Sequence, residues 1–252
     1  MGLSQLDFYG HNKVEVAIMR LKEFEPPEGY YGAFSGGKDS QVAFYLTKQA
    51  GLKVEWHFHQ TTVDPPEVLS FIRENYPTVI WDRPNRTMYQ LIEQEGFPIR
   101  QHKSCCDELK ETGGNGRFVI TGIRAEESDT RKHRSLVEFC YKSVGKKFLH
   151  PIIDWSEDEV WEYLSGISHC SLYDEGFKRI GCVLCPNHGA EEVQFELKRF
   201  PAIARAYRMA FHARWAKGLP SNKRWKSADD MFEWWLSRKG EPKKTAECSM
   251  FV

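Results

Sequence analysis

Apolar positions recur along this chain with two periods, and the switches between them outline the fold. Val14, Val16, Ile18, Leu21 and Phe24 stand among charged neighbours as on an amphipathic helix, which Pro26-Pro27 ends. Such a helix packs on a core, or serves as a lid or dimer element. Tyr30-Tyr31-Gly32-Ala33-Phe34 carries no charge and reads as a short buried strand, and Gln41 to Leu46 continues as a helix. From Lys53 to Thr61, Val54, Trp56 and Phe58 alternate with Glu55, His57 and His59, a strand whose histidines belong on an outward polar face. Pro65-Pro66 suits a helix start running through Val68, Leu69, Phe71 and Ile72. Thr78–Trp81 and Phe118–Gly122 read as further strands, with a helix over Thr87–Gln94 between them and a turn at Gly113-Gly114-Asn115-Gly116.

A hairpin is expected over 136–153. Ser156-Glu157-Asp158-Glu159 then forms a capping box for the next helix, and from about residue 190 the chain reads as helical. Alternating strands and helices of this length predict an α/β fold, a doubly wound and mostly parallel sheet, with a helical C-terminal appendage. The expected division is an N-terminal helix at 1–28, a nucleotide-binding domain at 29–189 and a basic, aromatic region at 190–252. Ligands of such sheets bind at the carboxyl ends of the strands, where Ser35–Ser40, Thr62–Asp64 and Gly122–Arg124 fall.

The chemistry begins between the first strand and its helix. Ser35-Gly36-Gly37-Lys38-Asp39-Ser40 is a glycine-rich turn opening a helix, the layout that presents unpaired N–H groups and a positive dipole end to phosphate. The Walker spacing is absent, since Tyr31 stands where its first glycine would be. The hexapeptide resembles the PP-loop of ATP pyrophosphatases, which hold the pyrophosphate of ATP and cleave between the α and β phosphates.

Composition narrows the setting. The 252 residues carry 35 Lys+Arg and 35 Asp+Glu, so global charge points to no partner. No apolar run approaches the roughly 18 residues of a membrane span, and the N-terminus lacks a signal-peptide pattern, so a cytoplasmic protein is expected. Thiols stay reduced there, and seven cysteines then need a reason other than disulfides. Cys105-Cys106 and Cys182-Val183-Leu184-Cys185 read as a metal site. Adjacent cysteines are an unusual zinc arm, whereas a cubane iron–sulfur cluster takes four thiolates over a larger volume, so a 4Fe–4S cluster is the leading expectation. A structural zinc or metal-free buried thiols are the alternatives. Cys140 and Cys170 read as small core residues.

The loop, Cys-Cys and Cys-x-x-Cys, in that order, resemble the phosphoadenosine phosphosulfate (PAPS) reductase family, and within it the iron–sulfur branches, adenosine phosphosulfate reductases and the ATP pyrophosphatases of DNA phosphorothioation. Thr62-Val63-Asp64-Pro65-Pro66-Glu67, Gly122-Ile123-Arg124-Ala125-Glu126-Glu127-Ser128 with Arg131, and His150-Pro151-Ile152-Ile153-Asp154-Trp155 before Val160-Trp161 extend the likeness over about residues 30–186. The resemblance implies an adenine nucleotide α-hydrolase-like fold. It implies Ser35, Gly36, Gly37, Lys38, Asp39, Ser40, Thr62, Asp64, Gly122 and Arg124 as nucleotide-binding residues. Lys38, Asp39 and Arg124 would be catalytic, and Cys105, Cys106, Cys182 and Cys185 cluster ligands.

Two activities follow from the resemblance. In one, ATP with Mg²⁺ activates an acceptor, pyrophosphate leaves, and a sulfur donor protein displaces AMP. In the other, adenosine phosphosulfate or PAPS is reduced to sulfite with a thiol reductant. The full loop signature favours ATP. The reductases end in Glu-Cys-Gly-(Leu/Ile)-His, whereas this chain ends Glu247-Cys248-Ser249-Met250-Phe251-Val252, which leaves Cys248 as a possible nucleophile or an incidental thiol. With four cysteine ligands no iron is open, so the cluster is expected to shape the site rather than act as its redox agent. An effector that binds nucleotide without catalysis is the third possibility.

Arg124, Arg131, Lys132 and Arg179 are candidate oxyanion contacts, although Lys132 reads better as a solvated charge. His133, His150 and His188 have no partner that spacing reveals. From Lys198 to Lys244 thirteen Lys/Arg face four Asp/Glu, with Trp215, Trp225, Trp234 and Trp235 interleaved. Basic plus aromatic suits a nucleic-acid surface, but Phe195, Ile203, Tyr207, Phe211 and Trp215 at helical spacing suit a core.

Overall fold

The computed structural model describes residues 3, 4, 6, 7 and 9–238. In chain order its strands are β1 (Tyr30–Ala33), β2 (Val54–His59), β3 (Ile80–Asp82), β4 (Phe118–Ile120), β5 (Val137–Phe139) and β6 (Lys147–Leu149). Its helices are α1 (Lys13–Glu23), α2 (Lys38–Ala50), α3 (Pro66–Asn75), α4 (Met88–Gln94), α5 (Ser104–Leu109), α6 (Glu157–Tyr163), α7 (Ala190–Arg199), α8 (Pro201–Ala216) and α9 (Ala228–Ser237). Two compact units interleave along the chain. One takes its residues from Met1–His59, Pro66–Asp82 and Thr112–Ile180, the other from Gln60–Pro65, Arg83–Glu111 and Gly181–Val252. This division differs from the linear one that the sequence suggests.

The first unit holds the sheet, ordered β3-β2-β1-β4-β6-β5. Every neighbouring pair is parallel except β5–β6, which is the antiparallel hairpin expected over 136–153. Strands covered on both faces must be apolar on both, and β1 is buried along its whole length. On one face Trp56 lies against β1 where Gly32 has no side chain, since a Cβ there would stand 2.3 Å from the indole. Phe34, Phe44, Trp56 and Tyr76 continue this packing with ring centroids 4.7–6.0 Å apart.

The other face corrects the expected polar exposure of His57 and His59. Tyr31 stacks on His57 at 4.1 Å, its hydroxyl lies 2.6 Å from His59 Nε2, and Asp82 Oδ2 lies 2.8 Å from His57 Nδ1. Alternation identified the face but not what covers it. Helix α1 is a packing helix: it buries Ala17 and Leu21, and Lys13 and Arg20 pair with Glu159 and Asp154 at 2.6 Å. The capping box expected at Ser156 is formed, and a second one, which the sequence pattern did not indicate, caps α4 at Thr87.

The second unit is helical, built on α4, α5, α7, α8 and α9. Tyr207, Phe211, Phe232 and Trp235 form its core, and Trp235 Nε1 donates to the Pro98 carbonyl at 2.7 Å. The aromatic residues of the C-terminal region are therefore largely spent on packing. Several of its arginines lie on rings of the same unit, Arg224 4.7 Å from the Trp234 centroid and Arg208 5.9 Å from that of Phe232. Among the described residues no helix is long and apolar enough to cross a membrane.

Candidate functional site

Strands β1 and β4 lie side by side and parallel, so the segments leaving their carboxyl ends meet. From β1 the chain turns through Ser35-Gly36-Gly37 into α2. Gly36 has φ +74°, a left-handed conformation that a side chain would strain. Gly37 is the N-cap of α2 and offers no side-chain oxygen to the first helical N–H groups. The loop instead braces itself: Ser40 Oγ donates to the Gly37 carbonyl at 2.8 Å, and Gly37 N–H donates to Ser35 Oγ at 3.2 Å. The helix start thus faces the strand ends with its dipole intact and anions favoured there.

From β4 comes Gly122, and its missing side chain sets how close the two segments run. A Cβ at this position would stand 2.5 Å from the Asp39 carbonyl carbon and 2.8 Å from the Ser40 nitrogen. Arg124, two residues on, is 1% exposed, and its Nε donates to Asp39 Oδ1 at 2.6 Å. Its Nη1 also reaches Glu126 at 3.1 Å and the Trp155 carbonyl at 3.3 Å. Arg124 is thereby committed to holding Asp39 at the first turn of α2.

Lys38 is buried as well. Its backbone N–H donates to Tyr173 Oη at 2.9 Å, and its ammonium donates to the Lys178 carbonyl at 3.1 Å. Asp39 Oδ2 and Glu157 Oε1 each lie 3.7 Å from that ammonium, and the Tyr173 ring centroid lies 5.5 Å away. Tyr173 is itself so buried that its phenol is pushed well up and stays protonated. Sequence reasoning missed Tyr173, Glu157 and Lys178 because they lie more than a hundred residues from the loop.

A second cationic group lies by the 3₁₀ turn at Arg131–His133. Arg131 is 6% exposed and pairs with Glu127, and Arg179 Nη2 lies 3.7 Å from the same carboxylate. Burial, with Arg179 nearby, pulls the Arg131 guanidinium down to about 10 despite Glu127. Lys132 is exposed and paired with Asp129 at 2.8 Å, the solvated role that its sequence context suggests. His150 is fully buried between Thr121 Oγ1, 2.6 Å from its Nδ1, and Glu138, 3.5 Å from its Nε2. His188 lies 3.0 Å from Glu196.

Thr62 and Asp64 fall in the helical unit. Asp64 accepts from the Thr61 N–H at 2.6 Å and from Thr61 Oγ1 at 2.8 Å, and Thr62 adopts φ +68° while its Oγ1 accepts the Met88 N–H at 3.0 Å. Asp64 is therefore occupied in forming this turn, and burial pushes its carboxyl up.

The same unit brings the four cysteines together. Cys105 and Cys106 lie in the first turn of α5, a short helix that the sequence pattern did not indicate. The Cys182–Cys185 turn is tied down through its backbone. Val183 N–H donates to the Val63 carbonyl at 2.9 Å, Leu184 N–H to Glu196 Oε2 at 2.8 Å, and Arg238 Nη2 to the Cys185 carbonyl at 3.1 Å. Leu184 takes φ +57°, which folds the turn back on itself.

Each thiol interacts electrostatically with others of the four, and Lys110, one helical turn beyond Cys106, interacts with Cys106, Cys182, Cys185 and Asp64. Burial pushes the Cys182 thiol up to about 12, whereas the thiol–thiol hydrogen bond from Cys105, helped by Lys110, brings Cys106 down to about 7 despite burial. Cys182 Sγ also lies 3.4 Å from Thr61 Oγ1. Lys110 was missed in the sequence, where the only signal was its i+4 spacing from Cys106. Among the described residues no three His, Cys, Asp or Glu side chains are arranged to hold a single metal ion. Cys170 is buried and Cys140 only half-buried, and Cys248 lies outside the described residues.

The chain is similar to known proteins over this region. The family model for the phosphoadenosine phosphosulfate reductase domain matches residues 30–188. Uncharacterized protein MJ0973 of Methanocaldococcus jannaschii is 29% identical over 203 residues, 71% of this chain and 49% of that protein, so the chain spans about half of that relative. Adenosine 5'-phosphosulfate reductase of Bacillus cereus (strain 03BB102) is 28% identical over 186 residues, 68% of this chain and 78% of that enzyme. The solved phosphoadenylyl-sulfate reductase of Candida auris, a phosphate complex, has the same fold with a TM-score of 0.51 at 18% identity, over 68% of this chain and 87% of that one.

Proposed function

The chain belongs to the phosphoadenosine phosphosulfate reductase family, and within it we propose that this protein binds ATP, cleaves it to AMP and pyrophosphate, and activates an acceptor for sulfur transfer. The observation that carries this reading is the complete Ser35–Ser40 loop, with Lys38 and Asp39 held at its helix start by Tyr173, the Lys178 carbonyl and Arg124. A sulfonucleotide has no β,γ-pyrophosphate to occupy a full loop of this kind.

In this reaction an acceptor oxygen attacks the α-phosphorus, and the bond to the bridging oxygen breaks. Pyrophosphate leaves with that electron pair. A sulfur nucleophile then attacks the atom bearing the adenylated oxygen and expels AMP. The α2 dipole and Lys38 would stabilise the charge that builds on pyrophosphate, while the Gly37 and Lys38 N–H groups are spent on Ser35 and Tyr173. Arg124 holds one oxygen of Asp39, and the other, Oδ2, 3.7 Å from the Lys38 ammonium, would be the one to meet a divalent cation, since Mg²⁺ binds through one or two carboxylates plus the substrate's phosphates. Arg131 and Arg179 supply guanidinium groups beside Glu127 for further oxyanions.

The four cysteines fit a 4Fe–4S cluster. The donors are four thiols within electrostatic reach of one another, and Lys110 offsets part of the thiolate charge. Cys105, Cys106, Cys182 and Cys185 would hold the cluster. When bound, it would join α5 to the Cys182–Cys185 turn and replace four thiol protons with metal bonds.

Adenosine phosphosulfate reduction is the second reading, favoured by the Bacillus cereus relative and by the Glu247-Cys248 pair. Anaerobically purified protein incubated with ATP, and separately with sulfonucleotides, tells the two apart. Release of pyrophosphate and AMP that falls at least ~100-fold in Lys38→Ala and Asp39→Asn is expected. Sulfite formation that is lost in Cys248→Ser would replace the first reading with the second.

A further inference from the structure

Beside Lys38 the first unit opens into a cleft of about 410 Å³, within the size range of small-ligand sites. Its walls are aromatic: Trp161 on α6, and His169, Tyr173 and Phe177 on the segment that follows. The Trp161 ring stands at 88° to Tyr173, with centroids 5.1 Å apart, and at 78° to His169, with centroids 5.3 Å apart. Rings set at right angles make a corner rather than a closed stack, and a corner offers a flat guest one ring face and one ring edge. Glu157 and Asp174 line the same cleft with carboxylates; Asp174 Oδ1 already lies 3.0 Å from His169 Nε2, and the remaining lone pairs of the two groups are acceptors.

Electron-rich rings with carboxylates would also suit a cation, but cations are already in place. The Lys38 ammonium lies 5.5 Å from the Tyr173 centroid, and Lys178 lines the cleft. What remains complementary is a neutral planar ring bearing N–H donors. A nucleobase with an exocyclic amino group has that character, since its π-face stacks on aromatic side chains and its amino group donates to Asp or Glu.

The position of the cleft assigns its role. Glu157, Tyr173 and Lys178 line it and also contact Lys38, so these residues stand between a guest there and the side chain that the ATP reading assigns to the phosphates. We propose that this cleft is the acceptor subsite and takes an amino-bearing nucleobase. The proposal rests on the ATP-activation reading for the word acceptor, whereas the binding itself does not.

The test is nucleoside binding to the full chain without ATP, followed by ligand-observed NMR and calorimetry with cytidine, adenosine, guanosine and uridine. At least one amino-bearing nucleoside is expected to bind with a dissociation constant about tenfold or more below that of uridine. Phe177→Ala and Trp161→Ala are each expected to weaken it about tenfold or more, the loss of one stacking ring. Should Trp161→Ala fail to fold by circular dichroism, the half-buried Phe177 position carries the test alone. Equal binding of uridine, or unchanged binding in Phe177→Ala, overturns the proposal. So does displacement of the bound nucleoside by ATP, which would make the cleft the base pocket of ATP itself. No turnover is needed, so a chain that binds nucleosides here but releases no pyrophosphate refutes the ATP reading and leaves the base site standing.

Discussion

At Gly122 a hydrogen atom does what no other side chain can. The closest approach of β4 to the start of α2 passes through this residue, and a methyl group would have to displace backbone rather than a flexible side chain. Gly122→Ala is expected to push Asp39 and Ser40 away from the strand end. That costs about 1–3 kcal/mol in urea denaturation and weakens ATP binding about tenfold or more. Calorimetry with a non-hydrolysable ATP analogue measures the second effect; unaltered affinity would mean that the loop tolerates the shift. Lys38, Asp39, Gly122 and Arg124 were all visible as a pattern in the sequence. That Arg124 holds Asp39 was not, because the two meet across 85 positions of chain.

Elements add a pH dependence. The β5–β6 hairpin and the end of β4 share one buried histidine, His150, between Glu138 and Thr121. Burial lowers the His150 imidazole below its ordinary value, so the folded state binds fewer protons than the unfolded chain once pH falls below ~6.5. Burial pushes Glu138 up, but the His150 ring, Arg134 and the Ser135 N–H outweigh it and hold the carboxyl at about 2. That contribution is complete above ~4.3 and is lost as pH falls towards 2. Both groups act in the same direction, and stability is expected to decline from pH 7 to pH 5 through His150 first. Denaturation midpoints across that range should fall less steeply in His150→Gln, and parallel slopes would remove His150 as the cause. In the helical unit the packing of α8 on α9 depends on Trp235, whose ring is fully buried. Trp235→Ala is expected to cost about 3–5 kcal/mol, read as lost amide protection concentrated in α8 and α9.

At the scale of the whole molecule, the chain crosses between its two compact units several times, and residues 60–65 belong with the cysteines rather than with the sheet. The cluster proposed for the four thiols would add to the stability of the helical unit. The protein supplied with iron and sulfide under anaerobic conditions is expected to take up about four irons per chain, with visible charge-transfer absorption. It should melt at a higher temperature than the metal-free form. Cys106→Ser and Cys185→Ser should each lose most of that absorption. A colourless protein that binds one zinc per chain with the same thermal gain would assign the thiols to zinc instead.

The sequence alone determined the features that local chemistry controls: the strand–turn–helix of the loop, the capping box at Ser156, the hairpin, and the order of strands and helices that implies a parallel sheet. Each depends on residues a few positions apart, where periodicity, proline and glycine act directly on the backbone. Tertiary structure decided what depends on distant partners. It turned His57 and His59 inward to Tyr31 and Asp82, committed the C-terminal aromatics to a core, and gave Asp64 to the turn at Thr61. It also placed Lys110 among the four cysteines and Tyr173 against Lys38. Spacing along a chain reports which face a side chain leaves from; only the packed fold brings to that face the groups that set its charge, its protonation and its use.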